Sequence, residues 1–239
     1  MRPTHNIQLW SGPRNVSTAL MYSFAQRVDT TVWDEPLYAN YLLRTGLDHP
    51  GRQETLREHE PDAEKVIREM LKGEWGTPVL FNKQMGHHLT GLRTDWLKDT
   101  INIFLIRHPG EVINSFSKVI ETPDLRDIGI KDQWELFQKL REQGQDPLVM
   151  DGNEILKNPR GILSAACDRV GIPFDPSMLS WKAGARPEDG VWAKYWYSNV
   201  HKSTGFAPYI EKPREVRSDL QPLLEEALPY YQHLIPYAL

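Results

Sequence analysis

The chain has 239 residues, 40% of them hydrophobic and 25% charged, with a formal net charge of −4 and a pI near 6.1. That length and apolar content suit one α/β domain with a full core, and the mild acidity excludes a general pull toward nucleic acid or an anionic membrane, so any anion site has to be local. The one cysteine, Cys167, excludes a disulfide framework and a cysteine-based zinc site, and no apolar run approaches the roughly 20 residues that span a bilayer; a soluble, cytoplasmic protein with neither a nucleic-acid nor a membrane partner is expected.

Ile7, Leu9 and Trp10 predict a short apolar strand, Gly12-Pro13 breaks it, and Leu20, Met21 and Phe24 recur at helical spacing. The loop between carries Arg14, Asn15, Val16, Ser17 and Thr18 into the start of the helix. Backbone N–H groups and hydroxyls at the positive end of a helix form an anion site, so a phosphate or sulfate ester is the expected ligand. A nucleoside-triphosphate loop would place a Lys directly before the hydroxyl residue, and Val16 stands there instead.

Thr30 to Trp33 predicts a second strand ending in Asp34-Glu35-Pro36. Ligand crevices of open α/β sheets lie at the carboxyl ends of strands, which puts Glu35 where chemistry is done and leaves Asp34 as a solvated turn charge. Leu37 to Leu43 reads as a helix whose Tyr38 and Tyr41 face an acceptor pocket. From about 44–75 the chain is charged, an excursion with an amphipathic helix beginning near Asp62.

The sheet resumes at Pro78 to Phe81 and ends at Asn82-Lys83, where a Lys can neutralise charge developing on a departing oxygen. His87 and His88, adjacent on an extended segment, point to opposite sides and share no metal; either is a candidate to bond an acceptor hydroxyl or to act as an alternative base. Ile101 to Ile106 predicts a central parallel strand ending at Arg107, and Pro109 opens a helix whose Val112, Ile113, Phe116, Val119 and Ile120 share a face. Ser115 flanks that face and turns back toward the strand end, where it can share a ligand with Arg107. A peripheral helix around Trp134 to Leu140, a fifth strand at Leu148 to Met150, an aromatic loop at about 182–206, and one or two short helices interrupted near Pro222 and Pro229 complete the chain.

Two motifs carry a family resemblance. P-R-N-V-S-T resembles the 5′-phosphosulfate loop of sulfotransferases, commonly PKSGTT or PRSGST, with Val16 in place of the usual Gly. FLIRHPGEVINSFSK resembles their 3′-phosphate segment, often LRDPRDVVVSF, with Arg107 and Ser115 on its two phosphate-binding positions. Glu35-Pro36 is similar to bacterial sulfotransferases acting on sugars, in which the Glu is the base; cytosolic members end the Lys strand K-x-H, and this chain keeps Lys83 but has Met85 in the His place. The loop at 182–206 resembles the nucleotide-covering RKGxxGDWK, echoed by Arg186, Gly190, Trp192 and Lys194.

The resemblance implies a three-layer α/β/α fold around a mainly parallel sheet, similar to P-loop nucleotide hydrolases, with residues 1–239 as one domain. It implies transfer of a sulfuryl group from 3′-phosphoadenosine 5′-phosphosulfate to a hydroxyl of a small-molecule or sugar acceptor, without a metal. Arg14, Asn15, Val16, Ser17 and Thr18 would hold the 5′-phosphate, and Arg107 with Ser115 the 3′-phosphate. Glu35 would take the acceptor's proton while Lys83 and Arg14 stabilise charge on the sulfuryl oxygens and leaving phosphate. Tyr38, Tyr41, His87, His88 and Trp192 would line the acceptor side. Two other readings stay open: a P-loop kinase or hydrolase, for which Asp34 is the candidate magnesium ligand, and a non-catalytic nucleotide-binding protein.

Overall fold

Five runs rich in apolar and β-branched residues become the strands β1 (His5–Ser11), β2 (Thr30–Asp34), β3 (Val79–Met85), β4 (Ile101–Ile106) and β5 (Leu148–Asp151). In the computed structural model, which describes residues 1–118 and 120–239, they form one sheet in the order β2-β3-β1-β4-β5, and all four pairings are parallel. The chain therefore leaves β1 toward one edge and later returns to its other side at β4, which opens a crevice at the carboxyl ends of the central strands.

Helices α1 (Ser17–Phe24), α2 (Tyr38–Thr45), α3 (Arg52–Glu58), α4 (Ala63–Lys72), α5 (Pro109–Phe116), α6 (Leu125–Ile128), α7 (Ile130–Glu142), α8 (Gly152–Lys157), α9 (Pro159–Val170), α10 (Ala193–Trp196) and α11 (Gln221–Leu234) complete the fold. On one face of the sheet α1 and α9 bury Leu20, Met21, Phe24, Leu163 and Ala166 against Ile7, Leu9, Phe81 and Ile103. Phe24 stacks on Phe81 with ring centroids 4.1 Å apart. On the other face α4, α5, α7 and α11 cover Trp10, Phe104, Ile106 and Val149.

Amide side chains run between the central strands. Asn82 and Gln8 donate to Asn6 Oδ1 at 3.0 and 2.9 Å, and Gln84 donates to Gln8 Oε1 at 3.2 Å. Gln8, Asn82 and Gln84 are fully buried, so these bonds replace water that the amides have lost.

Four sequence expectations change. β3 continues to Met85, so Lys83 lies within the strand rather than after it, its polar residues being buried with partners of their own. The helix expected at the periphery, α7, is core: Ile130, Leu136, Phe137 and Leu140 are buried, and Gln133 donates to the carbonyls of Trp10 and Leu105, both at 3.0 Å. The tail forms a single helix, because Pro222 stands in its first turn, where a missing N–H costs little, and buried Ala227, Tyr231 and Leu234 hold the run across Pro229. Helix α5 ends at Phe116, leaving Ile120 exposed outside it, and Val119 lies outside the described residues. No described helix is long and apolar enough to cross a membrane.

Candidate active site

The loop after β1 hands its backbone to a helix with no side-chain cap: Val16 occupies the cap position of α1, and the first turn carries no acidic residue. By contrast Asp62 caps α4 through the N–H groups of Glu64 and Lys65. The first amides of α1 are thus left for an external acceptor, beside the hydroxyls of Ser17 and Thr18. Val16 has φ −90° and packs against the apolar cluster beneath α1, so the backbone here does not require the glycine usual in the family.

Asn15 fixes the loop, its Nδ2 donating to the Leu105 carbonyl at 3.1 Å and its Oδ1 accepting from the Val16 N–H at 2.9 Å. Its side chain is therefore turned into the sheet end. Arg14 takes the left-handed φ of 60°, and its Nε donates to Ser115 Oγ at 3.1 Å. Arg107 Nη1 donates to the Arg14 carbonyl at 2.9 Å, while its Nε and Nη2 bind Glu111 Oε2 at 3.0 and 2.9 Å. Glu111 also accepts from Asn153 Nδ2 at 2.8 Å. Burial alone would raise the Glu111 pKa; the bonds from Asn153 and Arg107 outweigh it and hold the carboxyl below its usual value.

Across β1, Lys83 of β3 lies in register with Asp34 of β2. Its Nζ donates to Asp34 Oδ1 at 2.9 Å, to Tyr197 Oη at 2.6 Å and to Glu35 Oε1. Tyr197 Oη in turn donates to Asp34 Oδ2 at 2.8 Å, and the Gly190 N–H donates to the same oxygen at 3.1 Å. Asp34, expected as a solvated charge, is 2% exposed; Thr30, Val32 and Asp34 alternate onto the buried face of β2, and the terminal carboxylate follows that period.

Glu35 is buried with a left-handed φ of 43°. Arg14 and Glu35 are the two non-glycine residues with positive φ among the described residues, and such backbones persist where the surroundings hold them, commonly at active sites. Burial raises the Glu35 pKa, Lys83 opposes the rise and Asp34 adds to it. For Lys83, burial alone would lower the pKa, and Asp34 with Glu35 more than reverse it.

His88 Nε2 stands 3.9 Å from Glu35 Oε2. Burial drives its pKa far down and that of His87 to about 4, so both imidazoles are neutral at physiological pH. They sit in a 3-10 turn, Gly86–Leu89, with ring centroids 4.8 Å apart, not on opposite sides of an extended segment. Tyr38 stacks on His88 at 5.1 Å, Tyr41 lies 4.9 Å from each imidazole, and Trp192 meets Tyr38 edge-on at 5.0 Å. Trp192 Nε1 also donates to Tyr197 Oη at 3.2 Å. The five expected acceptor-side residues thus form one cluster beside Glu35. From it Tyr38 Oη bonds His49 Nδ1 at 2.9 Å, and His49 lines an open cleft of about 620 Å³ with Arg52, Arg57 and Tyr195.

Of the expected catalytic trio, Glu35 and Lys83 meet, whereas the Arg14 side chain bonds Ser115 of α5. Arg186 and Lys194 join neither group: Arg186 lies 4.5 Å over the Tyr22 ring, and Lys194 pairs with Glu54. Sequence reasoning missed Tyr197 and Glu111. Glu111 lies in the first turn of α5, four residues after Arg107 at the end of β4, a legible ion-pair spacing; Tyr197 is 163 positions from Asp34, and no local signal links them.

A family model described as a sulfotransferase domain matches residues 5–238. Two curated Arabidopsis thaliana proteins, branched-chain-amino-acid aminotransferase-like proteins 1 and 2, are 42% and 39% identical over 229 residues, 95% of this chain and 41% of each of theirs. The chain thus spans about two fifths of the length of the curated relatives it matches. The solved sulfotransferase domain from the curacin biosynthetic pathway superposes with a TM-score of 0.58 at 18% identity, covering 95% of this chain and 98% of that one. The sulfotransferase domain of the Synechococcus PCC 7002 olefin synthase gives 0.54 at 21% identity, covering 94% of each chain, and both share this fold. With a match over nearly its whole length, this chain belongs to the sulfotransferase domain family.

Proposed function

We propose that residues 1–239 act as one domain that transfers a sulfuryl group from 3′-phosphoadenosine 5′-phosphosulfate to a hydroxyl of a small-molecule or sugar acceptor. The observation that carries this reading is the contact between the two phosphate motifs: Arg14 from the β1 loop bonds Ser115 from α5 at 3.1 Å, with Arg107 on the Arg14 carbonyl. A donor with two separate anionic ends suits that junction. The uncapped start of α1, with Ser17 and Thr18, suits the 5′-phosphate, and Ser115 with Arg107 and Arg14 suits the 3′-phosphate.

The donor supplies a sulfuryl group activated by its bond to phosphate. Glu35 takes the proton of the acceptor hydroxyl as that oxygen forms its bond to sulfur, and the bond from sulfur to the bridging phosphate oxygen breaks. Lys83 neutralises the charge that gathers on that oxygen, and the nucleotide leaves as adenosine 3′,5′-bisphosphate. A raised pKa makes Glu35 a stronger base than an exposed carboxylate, and its strained backbone holds it at the carboxyl end of β2. The Tyr38, Tyr41 and Trp192 rings, packed on one another and on the two imidazoles, form an aromatic wall beside Glu35 on the acceptor side.

Two observations weigh against other chemistries. Asp34 has both oxygens engaged by Lys83, Tyr197 and Gly190, which leaves no oxygen aimed at a magnesium ion as a kinase would need. The aminotransferase-like names belong to longer relatives, and Lys83, an ammonium held between two carboxylates, is not the neutral amine that forms a Schiff base. We place the activity in the cytoplasm, in keeping with the unpaired, buried Cys167.

The test compares binding of adenosine 3′,5′-bisphosphate and ATP, then follows labelled sulfate from the donor to a panel of sugars, phenols and alcohols. Tighter binding of the bisphosphate with label transferred supports the reading. Tighter binding of ATP overturns it, and bisphosphate binding without transfer to any acceptor leaves a non-catalytic binding protein.

A further inference from the structure

Two carboxylates share the Lys83 ammonium, and they are not equivalent. Asp34 is hydrogen-bonded at both oxygens: by Lys83 at 2.9 Å, by the Gly190 N–H at 3.1 Å, and by Tyr197 Oη, which lies 2.9 and 2.8 Å from the two. Glu35 is bonded at Oε1 by Lys83, and Tyr197 Oη, with one proton to give, lies farther from that oxygen at 3.4 Å. Among the described residues no hydrogen bond reaches Glu35 Oε2, and His88 Nε2 stands off at 3.9 Å. The Glu35 side chain is 11% exposed, against 1% for Asp34 and 2% for Lys83. Glu35 thus keeps an accessible, unengaged oxygen, and Asp34 does not.

The late loop makes this difference, because Gly190 and Tyr197 both belong to it. Trp192 Nε1 donates to Tyr197 Oη, and Gly190 admits the indole, since a Cβ there would stand 2.2 Å from that ring. Asp189 accepts from Tyr22 of α1 at 2.7 Å and bonds His201 at 2.9 Å, which ties the loop down on both sides of Tyr197. With Asp34, Glu35 and Tyr197 as partners, all three N–H groups of Lys83 are taken and the ammonium is fixed.

We propose that Tyr197 is a positioning residue for sulfuryl transfer: its hydroxyl keeps Asp34 the fixed counter-ion of Lys83, which leaves Glu35 Oε2 to take the acceptor's proton. This role rests on the base assignment above and adds what selects Glu35 over its neighbour. Two adjacent carboxylates compete for one cation, and neutral donors placed on one of them decide which stays committed to it. With the phenol removed, Asp34 carries more uncompensated charge beside Glu35, and Glu35 holds its proton to higher pH. Tyr38 of α2 and the neutral His88 also face Glu35, and His59 faces Asp34; the variants below leave all three in place.

Carbon-13 NMR of the glutamate carboxyls in the full chain follows the Glu35 midpoint without an acceptor, with Glu35→Gln assigning its signal. The pH profile of kcat/KM, measured with the labelled donor and the acceptors that take label, follows it in turnover. Tyr197→Phe keeps the ring, whose centroid lies 4.9 Å from Lys83 Nζ, and is expected to raise the Glu35 midpoint and the acid limb of kcat/KM by about one pH unit, the worth of a hydrogen bond to a charged group. Affinity for adenosine 3′,5′-bisphosphate should stay as in the parent. Tyr197→3-fluorotyrosine keeps the hydroxyl as a stronger donor and is expected to lower the midpoint, a test that stands even if Tyr197→Phe does not fold. A Glu35 midpoint that neither variant moves overturns the role of Tyr197 and leaves the base assignment standing. An acid limb that persists in Glu35→Gln means that another group takes the proton, and the base assignment then falls with this inference.

Discussion

Around Arg14, guanidinium groups from the β1–α1 loop, the end of β4 and residue Arg214 outnumber the one carboxylate, Glu111, that is already engaged; around Lys83, a single ammonium faces two carboxylates and a phenol, all buried. The first group is incomplete without an anion and lies near the surface, where excess charge stays hydrated. The second neutralises itself, as a buried cluster must, because an unpaired charge away from water costs several kcal/mol. On the function proposed above, binding and chemistry are thus divided along the carboxyl ends of the strands, the β1–β4 side attracting the anion and the β2–β3 side holding the proton acceptor.

Breaking the chemical half should leave the binding half intact. Glu35→Gln is expected to lower turnover about 10²–10⁴-fold with bisphosphate affinity unchanged, read from initial rates beside calorimetry. Unchanged turnover in a folded variant would move the base to His87 or His88. Lys83→Met strands Asp34 and Glu35 together in the interior, and denaturant titration should register a loss of about 3–5 kcal/mol. A loss below about 1 kcal/mol would mean that water reaches the cluster in solution.

Breaking the binding half should be milder. Ser115→Ala is expected to weaken adenosine 3′,5′-bisphosphate by about tenfold, the worth of a hydrogen bond to a charged group, and to leave adenosine 5′-phosphate unaffected. The smallest effect is on stability against pH. The Glu111 carboxyl has a folded pKa below its ordinary 4.5, so its stabilising contribution is complete above that value and is lost as pH falls through the lowered one. Melting temperatures should therefore fall on the acid side, and Glu111→Gln should flatten that part of the curve. A curve unchanged by the substitution would remove Glu111 from the junction's electrostatics.

The motifs were legible because each is local. P-R-N-V-S-T sets a loop and a helix start, and Arg107 to Ser115 spans one strand end and one helix, so short-range order carries both. Apolar runs likewise marked the central strands, and Ile101–Ile106 is a strand in the structure as expected. What escaped depends on partners distant in sequence. The order of residues around Arg14 fixes its backbone, but the hydroxyl that claims its side chain lies 101 positions away. Asp34 reads as a turn charge until Lys83 and Tyr197 are brought to it, and α7 reads as peripheral because its charged outer face outweighs, in composition, the four apolar residues it buries. Residues 206–217 have neither helical nor strand period, and Asn114, Glu111 and Gly110 set the place of Pro213, Arg214 and Glu215.

The amides between β1 and β3 also bear on how the chain reaches this state. Asn6 and Asn82 are 76 positions apart, and Gln8 and Gln84 equally so, yet their bonds exist only in one alignment of the two strands. A slip by one position would turn every side chain of β3 to the opposite layer. Closing so long a stretch of chain comes before any of these bonds can form, which favours slow, cooperative assembly of the sheet centre.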